Sequence, residues 1–306
     1  MTLRMLLVIV MLCSAAAGGF AQDKPRTTEA PASGGGGWSA ALSLANVYEG
    51  NVNHDVTPLQ SYGLVPAFDV AFTAPTSGFT FAYEIAGNRY TGTNEWDRVS
   101  QAMESSLRRN LGKRVRLDAT AEASFKGTSE DRELANMVGV SPRATFVLSK
   151  RTRVSVSGAW RYKAYPDEPG TSGPSPSAGM KLDRRFASSR LTVGYKYQTR
   201  QSQAVRNRYQ RSMYTGEFTM PLGGAANRLS VELEYRTQRY QRLIKVAGQQ
   251  VLRRDRRLAA DAHYDYTIGP RTFIRWTYAF ERRRSNDPSK DFFAPIAAMT
   301  VHYQLR

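Results

Sequence analysis

The run Arg257–Glu281, R-L-A-A-D-A-H-Y-D-Y-T-I-G-P-R-T-F-I-R-W-T-Y-A-F-E, constrains the fold more than any other part of the chain. Before Gly269 and Pro270, the residues Leu258, Ala260, Ala262, Tyr264, Tyr266 and Ile268 fall on one face of an extended chain. Ala259, Asp261, His263, Asp265 and Thr267 fall on the other. After the turn, Ile274, Trp276, Tyr278 and Phe280 oppose Phe273, Arg275, Thr277, Ala279 and Glu281. A period of two marks a sheet with one apolar and one polar face. Each run is about ten residues or longer, whereas most strands have about 5–6. Ten is about what a tilted strand needs to cross a bilayer. The pattern predicts membrane-spanning strands.

The unit recurs. Alternating segments are expected at Trp38–Tyr48, Tyr62–Phe72, Phe79–Arg89, Val99–Arg109 (weakly patterned), Arg114–Lys126, Met137–Leu148 and Arg153–Ala164. They continue at Ala178–Phe186, Leu191–Arg200, Ser212–Met220, Arg228–Tyr240, the two strands of the opening hairpin, and Phe293–Arg306. Pro66 interrupts the second segment, because proline cannot donate to a ladder. The segments number about fourteen, and an even count is expected of a single-chain bacterial barrel. Connections alternate between short and long, the longest being Gln241–Arg256, and a soluble β-sandwich has no reason to keep such alternation. A membrane chain without spanning helices must close its sheet, since closure satisfies every backbone group in lipid. The expected fold is therefore all-β: a transmembrane antiparallel up-and-down barrel over residues 38–306. The alternative is a soluble, basic β-protein whose aromatics fill a sandwich core.

The first residues have the order of a secretory signal over residues 1–21: Arg4, an apolar core from Met5 to Cys13, and Gly19-Phe20-Ala21 as a small-x-small cleavage site. The apolar run is too short for a spanning helix. Residues 22–37, with Pro25, Pro31 and four consecutive glycines, are expected to form a flexible lead-in. Cys13 is the only cysteine, so the mature chain forms no disulfide and no cysteine metal site. The net charge of +17 falls to +16 once Arg4 leaves with the signal. The positive charges alternate with apolar residues along strands or sit in loops. They form no basic helix or arm, and no nucleic-acid motif is present.

Taken together, signal, strand alternation, aromatics and loop asymmetry resemble the bacterial outer-membrane β-barrel proteins as a class, over Trp38–Arg306. The resemblance implies short periplasmic turns, long external loops and both termini in the periplasm. The implied partners are outer-membrane lipid, lipopolysaccharide, the barrel-assembly machinery and a periplasmic or surface partner. One departure is the chain's end, Tyr303-Gln304-Leu305-Arg306, where barrels of this class end in an aromatic residue.

On this reading the polar face lines the lumen. It includes Arg114, Arg116, Asp118, Glu122, Arg153, Arg161, Lys163 and Lys196, followed by Glu232, Glu234, Arg236, Asp261, His263, Asp265 and Arg275. Opposed charges pair along the wall and leave a pore, or cross the lumen and occlude it. The aromatics Trp160, Tyr162, Tyr195, Tyr197, Tyr235, Tyr264, Tyr266, Trp276, Tyr278 and Tyr303 face lipid, as girdles at the headgroup boundary. Arg206, Arg208, Arg253, Arg254, Arg283 and Arg284, placed in external loops, are candidates to contact lipopolysaccharide phosphates, for which guanidinium forks are suited. A solvated rim is the plainer account of them.

Asp261, His263 and Asp265 share a face and are able to orient an imidazole, but no nucleophile accompanies them and no G-x-S-x-G occurs. No cofactor and no metal set is expected, because no ligand spacing matches. The functional expectation is a passive channel for small polar solutes, anions among them, and not an enzyme. The alternatives are a non-conducting barrel serving export or surface assembly, and an outer-membrane hydrolase.

Overall fold

The computed structural model describes residues 37–51, 54, 56–91, 98–128, 134–224, 226–246 and 248–305. The expected signal and nearly all of the lead-in lie outside them; Gly37 is already the first residue of a strand. The strands are β1 (Gly37–Glu49), β2 (Ser61–Thr73), β3 (Phe79–Tyr90), β4 (Arg98–Leu111), β5 (Val115–Thr128), β6 (Leu134–Val147) and β7 (Thr152–Ala164). They continue as β8 (Gly173–Pro174), β9 (Ser177–Arg185), β10 (Arg190–Arg200), β11 (Tyr209–Pro221), β12 (Arg228–Val246), β13 (Gln249–Gly269), β14 (Thr272–Ser285) and β15 (Phe292–Gln304). All belong to one antiparallel sheet. Pairing of β1 with β15 and of β6 with β7 closes it. The two-residue β8 extends the line of β9 along β7, and the other fourteen strands make the wall. Closure excludes the soluble-sandwich alternative.

The alternation read from the sequence becomes an inside and an outside. Trp38, Leu233, Met180 and Tyr278 point outward and are more than half exposed, at 58%, 53%, 57% and 59%. Their strand neighbours point inward and include the buried Glu49, Glu122, Lys163, Arg236 and Glu281. This is inverted relative to a water-soluble protein, and a continuous exposed apolar surface signals a partner phase.

Two of the prolines inside strands, Pro66 and Pro142, are accommodated by local gaps. The β2–β3 ladder passes from Leu64–Arg89 directly to Ala67–Ala86, skipping Val65 and Pro66. The β6–β7 ladder likewise skips Ser141 and Pro142. A missing N–H thus costs a bond on one side only, while the other neighbour remains fully paired.

Several expected boundaries require correction. The weakly patterned fourth strand is complete, and β4 runs to Leu111. Gln241–Arg256 is not a loop. β12 and β13 continue through it as a hairpin, with Leu243 opposite Leu252, Ile244 opposite Val251 and Gly248 at φ 85° in the turn. Cross-strand aliphatic pairs hold it, and a bulge between Arg239 and Leu243 separates it from the lower ladder. In consequence Arg253 and Arg254 lie in β13, and Arg283 and Arg284 in β14, instead of in loops. The last strand ends at Gln304, two residues earlier than expected.

Candidate functional site

Inward side chains of β10–β14 build a charged lattice toward the end of the barrel that carries the longer loops. Strand register sets Arg236 opposite Arg257, and Arg257 opposite Arg283, all facing inward. Like charges so placed repel, and carboxylates one row away offset this. Arg236 donates to Glu234 at 2.9 Å, and Arg257 pairs with Glu281. Arg283 Nε donates to Asp255 Oδ2 at 3.0 Å. Asp255 also accepts both Arg253 Nε and Nη2, at 3.1 and 2.7 Å, and the Ser285 hydroxyl at 2.6 Å.

Tyrosines interleave with the guanidinium groups. Arg253 lies 4.3 Å from the ring centre of Tyr240, Arg211 4.5 Å from Tyr209, and Arg200 4.6 Å from Tyr165. Each is within cation–π range. Arg211 also donates to Gln238, and Arg200 Nη2 to the Thr171 carbonyl at 2.7 Å. That carbonyl ends a 3-10 turn, Pro169–Thr171, which the Ser202 hydroxyl and the Ala204 amide tie to the facing loop through Gly170 O. Between these loops is a cleft of about 560 Å³, bordered by Tyr162, Ser172, Thr199, Arg200, Arg208 and Gln241.

The opposite wall has a second paired set. Glu122 of β5 and Arg161 of β7 are separated by β6, yet Arg161 Nε reaches Glu122 Oε1 at 2.6 Å. Gly139 lies between them in register. A Cβ there would meet Arg161 Cγ at 2.9 Å and Glu122 Oε1 at 3.0 Å, so glycine is what lets the arginine pass. Arg108 and Arg116 both donate to Asp118, at 2.9 and 3.0 Å. Arg153 faces Asp183 in register, and Asp183 pairs with Arg190.

Every charged residue expected on the polar face is on the inward parity, apart from Arg114, which sits in the turn before β5. The ion pairs described above join side chains of one strand, of neighbouring strands or, at Arg161, of strands once removed. They run along the wall and not across the interior. Asp261, His263 and Asp265 do not act together. His263 Nδ1 is 3.0 Å from Asp261 Oδ1, whereas Asp265 holds Arg275 by two bonds of 2.6 and 2.9 Å. Ser230, opposite His263, shares its hydroxyl with Thr219 at 3.1 Å. Among the described residues no group of three or more His, Asp or Glu is placed to hold a metal.

The expected aromatics are all on the outward parity. Tyr264, Tyr266 and Trp276 gather near the short turns, and Tyr195 and Tyr235 meet Tyr214 between them as a row of tilted rings toward the loops. Of the six arginines expected to meet lipopolysaccharide, Arg254 and Arg284 point outward. Arg253 and Arg283 point inward to Asp255, Arg206 is within a 3-10 turn, and Arg208 donates to the Ser202 carbonyl at 2.7 Å. The sequence reading missed the Asp255 cluster, because it placed residues 241–256 in a loop, where parity has no meaning. Arg253-Arg254-Asp255-Arg256-Arg257 alternates inside and outside once the hairpin is recognised.

The closed, inverted barrel is matched by solved structures. An anion-selective porin from Comamonas acidovorans superposes with a TM-score of 0.50 at 10% identity, over 89% of this chain and 99% of that one. A bacterial polysaccharide outer membrane secretin does so with a TM-score of 0.54 at 8% identity, over 87% and 98%. The fold is that of the bacterial outer-membrane β-barrels. No protein-family description matches the chain, and no curated protein resembles it in sequence. At these identities the likeness speaks for the porin-type barrel fold alone.

Proposed function

We propose that this porin-type barrel is a passive channel for small polar solutes across the outer membrane, with the loop end outside, both termini periplasmic and a preference for anions. The observation that carries the proposal is the direction of the interior ion pairs, which lie along the wall. In these pairs charge is neutralised locally, along the wall, as a water-filled passage requires. Fourteen strands fall between filled barrels of about eight and open porins of about 16–18, consistent with a narrow passage. The anion preference rests on Arg200, whose partners are a carbonyl and two tyrosine rings and so leave its charge uncompensated. It accords with the selectivity of the porin named above.

A second reading, a non-conducting barrel in export or surface assembly, draws on the depth of burial at the loop end, where Glu49, Gln198 and Arg211 are at most 2% exposed. Single-channel recording of the refolded full chain in a planar bilayer separates the two. Discrete steps are expected, with a reversal potential under a salt gradient displaced in the sense of anion flow. Silence from a barrel shown to be folded and inserted would overturn the channel and favour the second reading.

A further inference from the structure

Arginines on β12–β14 obey opposite rules on the two faces of one wall. The inward ones, Arg253, Arg257 and Arg283, meet Asp255 or Glu281. The outward ones are Arg239 on β12, Arg254 and Arg256 on β13, and Arg282 and Arg284 on β14, and all five are exposed. Among the described residues no carboxylate lies within ion-pair distance of any of these five side chains. Register packs them together: Arg239 is directly opposite Arg254, and Arg256 directly opposite Arg284. Facing residues on adjacent strands have Cβ atoms about 4.5–5.5 Å apart. Like charges at that spacing destabilise a sheet unless an anion bridges them.

The height of the patch indicates which anion. In the row that holds Arg282, on β12, β13 and β15, are the outward Tyr235, Leu258 and Phe293, exposed at 41%, 43% and 49%. They form the upper limit of the apolar band. Arg256 and Arg254 lie two and four residues before Leu258, toward the loop end, about 7 and 13 Å of strand, which is the depth of a lipid headgroup. The patch is also confined to one sector. Among the described residues around the rest of the loop-end rim, the corresponding outward positions are mainly neutral, including Tyr48, Tyr62, Val99, Tyr162 and Gln210, with Arg89 an exception. A rim charged only for solubility has no reason to gather five guanidinium groups on three adjacent strands.

We infer that Arg239, Arg254, Arg256, Arg282 and Arg284 form a binding site on the outer wall for the phosphates of an outer-leaflet glycolipid headgroup, that is, of lipopolysaccharide. Guanidinium forks bind phosphate oxygens in pairs. Phosphate between strands relieves the repulsion, while the acyl chains lie along Leu258, Tyr235 and Phe293. The inference rests on the orientation proposed above, with the loop end outside.

The test uses the full refolded chain in phosphatidylcholine nanodiscs carrying bisphosphorylated lipid A, with bound lipid counted by native mass spectrometry after release. The variant Arg254→Gln/Arg256→Gln/Arg284→Gln is expected to weaken retention by about tenfold or more, from the loss of three charge-assisted contacts. The control Arg109→Gln/Arg184→Gln, at outward positions near the opposite rim, is expected to match the wild type. If the triple variant fails to insert, Arg256→Gln alone is expected to lower retention by about threefold, since it faces Arg284 within the patch.

Retention by the triple variant equal to wild type would overturn the site, and so would equal retention of dephosphorylated lipid A. Displacement of lipid A by excess inorganic phosphate would assign the patch to small anions and overturn the lipid reading. The five side chains are outside the lumen, so single-channel steps of the triple variant are expected to match wild type. A lost current therefore reports on the channel, and lost lipid on this site.

Discussion

Replacing Asp255 by asparagine tests the claim that the charged lattice is held by pairing along the wall. The carboxylate accepts bonds from Arg253 at 2.7 and 3.1 Å and from Arg283 at 3.0 Å. All three side chains are buried or nearly so, at 5%, 7% and 13% exposure. Two unit charges about 4 Å apart attract by about 4 kcal/mol at an effective dielectric of about 20. Asp255 thus contributes about 8 kcal/mol of gross attraction from its two partners. Desolvation of the ions offsets much of this, and removing one member of a buried pair costs about 3–5 kcal/mol, because the partner stays buried without its counter-charge.

The expected loss for Asp255→Asn is therefore about 3–5 kcal/mol, near a thousandfold in the folding equilibrium. The comparison is Asp183→Asn, whose partner Arg190 is 45% exposed, and for which about 1 kcal/mol or less is expected. Both are read from equilibrium urea unfolding of the vesicle-inserted barrel by tryptophan fluorescence. Equal losses for the two, or a loss below about 1 kcal/mol for Asp255→Asn, would refute the argument that burial makes this cluster a structural tie.

Two further outcomes follow from local geometry. Gly139→Leu is expected to force Arg161 off Glu122, because even a Cβ at that position comes within 2.9 Å of Arg161 Cγ and 3.1 Å of the Trp160 carbonyl; a loss of about 2–4 kcal/mol in the same assay and an altered conductance are the readouts, and a wild-type barrel on both counts would count against the Arg161 bridge. In the β14–β15 loop, bonds from the Ser289 hydroxyl and amide hold the Asp287 carboxyl below the usual carboxylate range. A depressed folded value means the cap's contribution is complete above the unfolded value near 3.8 and is lost as pH falls through the lower folded one. Hydrogen exchange at Ser289 is therefore expected to follow its intrinsic rate law from neutral pH to about 4 and to lose protection below that, and Asp287→Asn to abolish that break; protection lost already near pH 6 would refute the cap.

Most of the wall was legible because the information in a half-buried strand is local. Val115, Leu117, Ala119 and Ala121 against Arg116, Asp118, Thr120 and Glu122 assign both faces without knowledge of a partner. The hairpin tip was not legible for the opposite reason. Residues 241–256 contain Arg242, Lys245, Arg253, Arg254 and Arg256 in a polar setting, and only the pairing of Leu243 with Leu252 shows that the ladder continues. A parity argument needs a fixed register, and an unrecognised strand supplies none. The same blindness hid Asp255 and split the arginines wrongly between loop and lumen.

The chain's own sequence determined the strand periodicity, the approximate number of spanning segments and the apolar outer face, since each follows from residues within about ten positions of one another. Tertiary structure alone decided that β1 meets β15 and closes the barrel, that Arg161 crosses Gly139 to Glu122, and that Arg253 turns inward while Arg254 turns outward. The physical reason is that a charged side chain's environment depends on partners brought in from distant segments. Arg283 and Asp255, separated by 28 positions, become neighbours only through the register of two long strands.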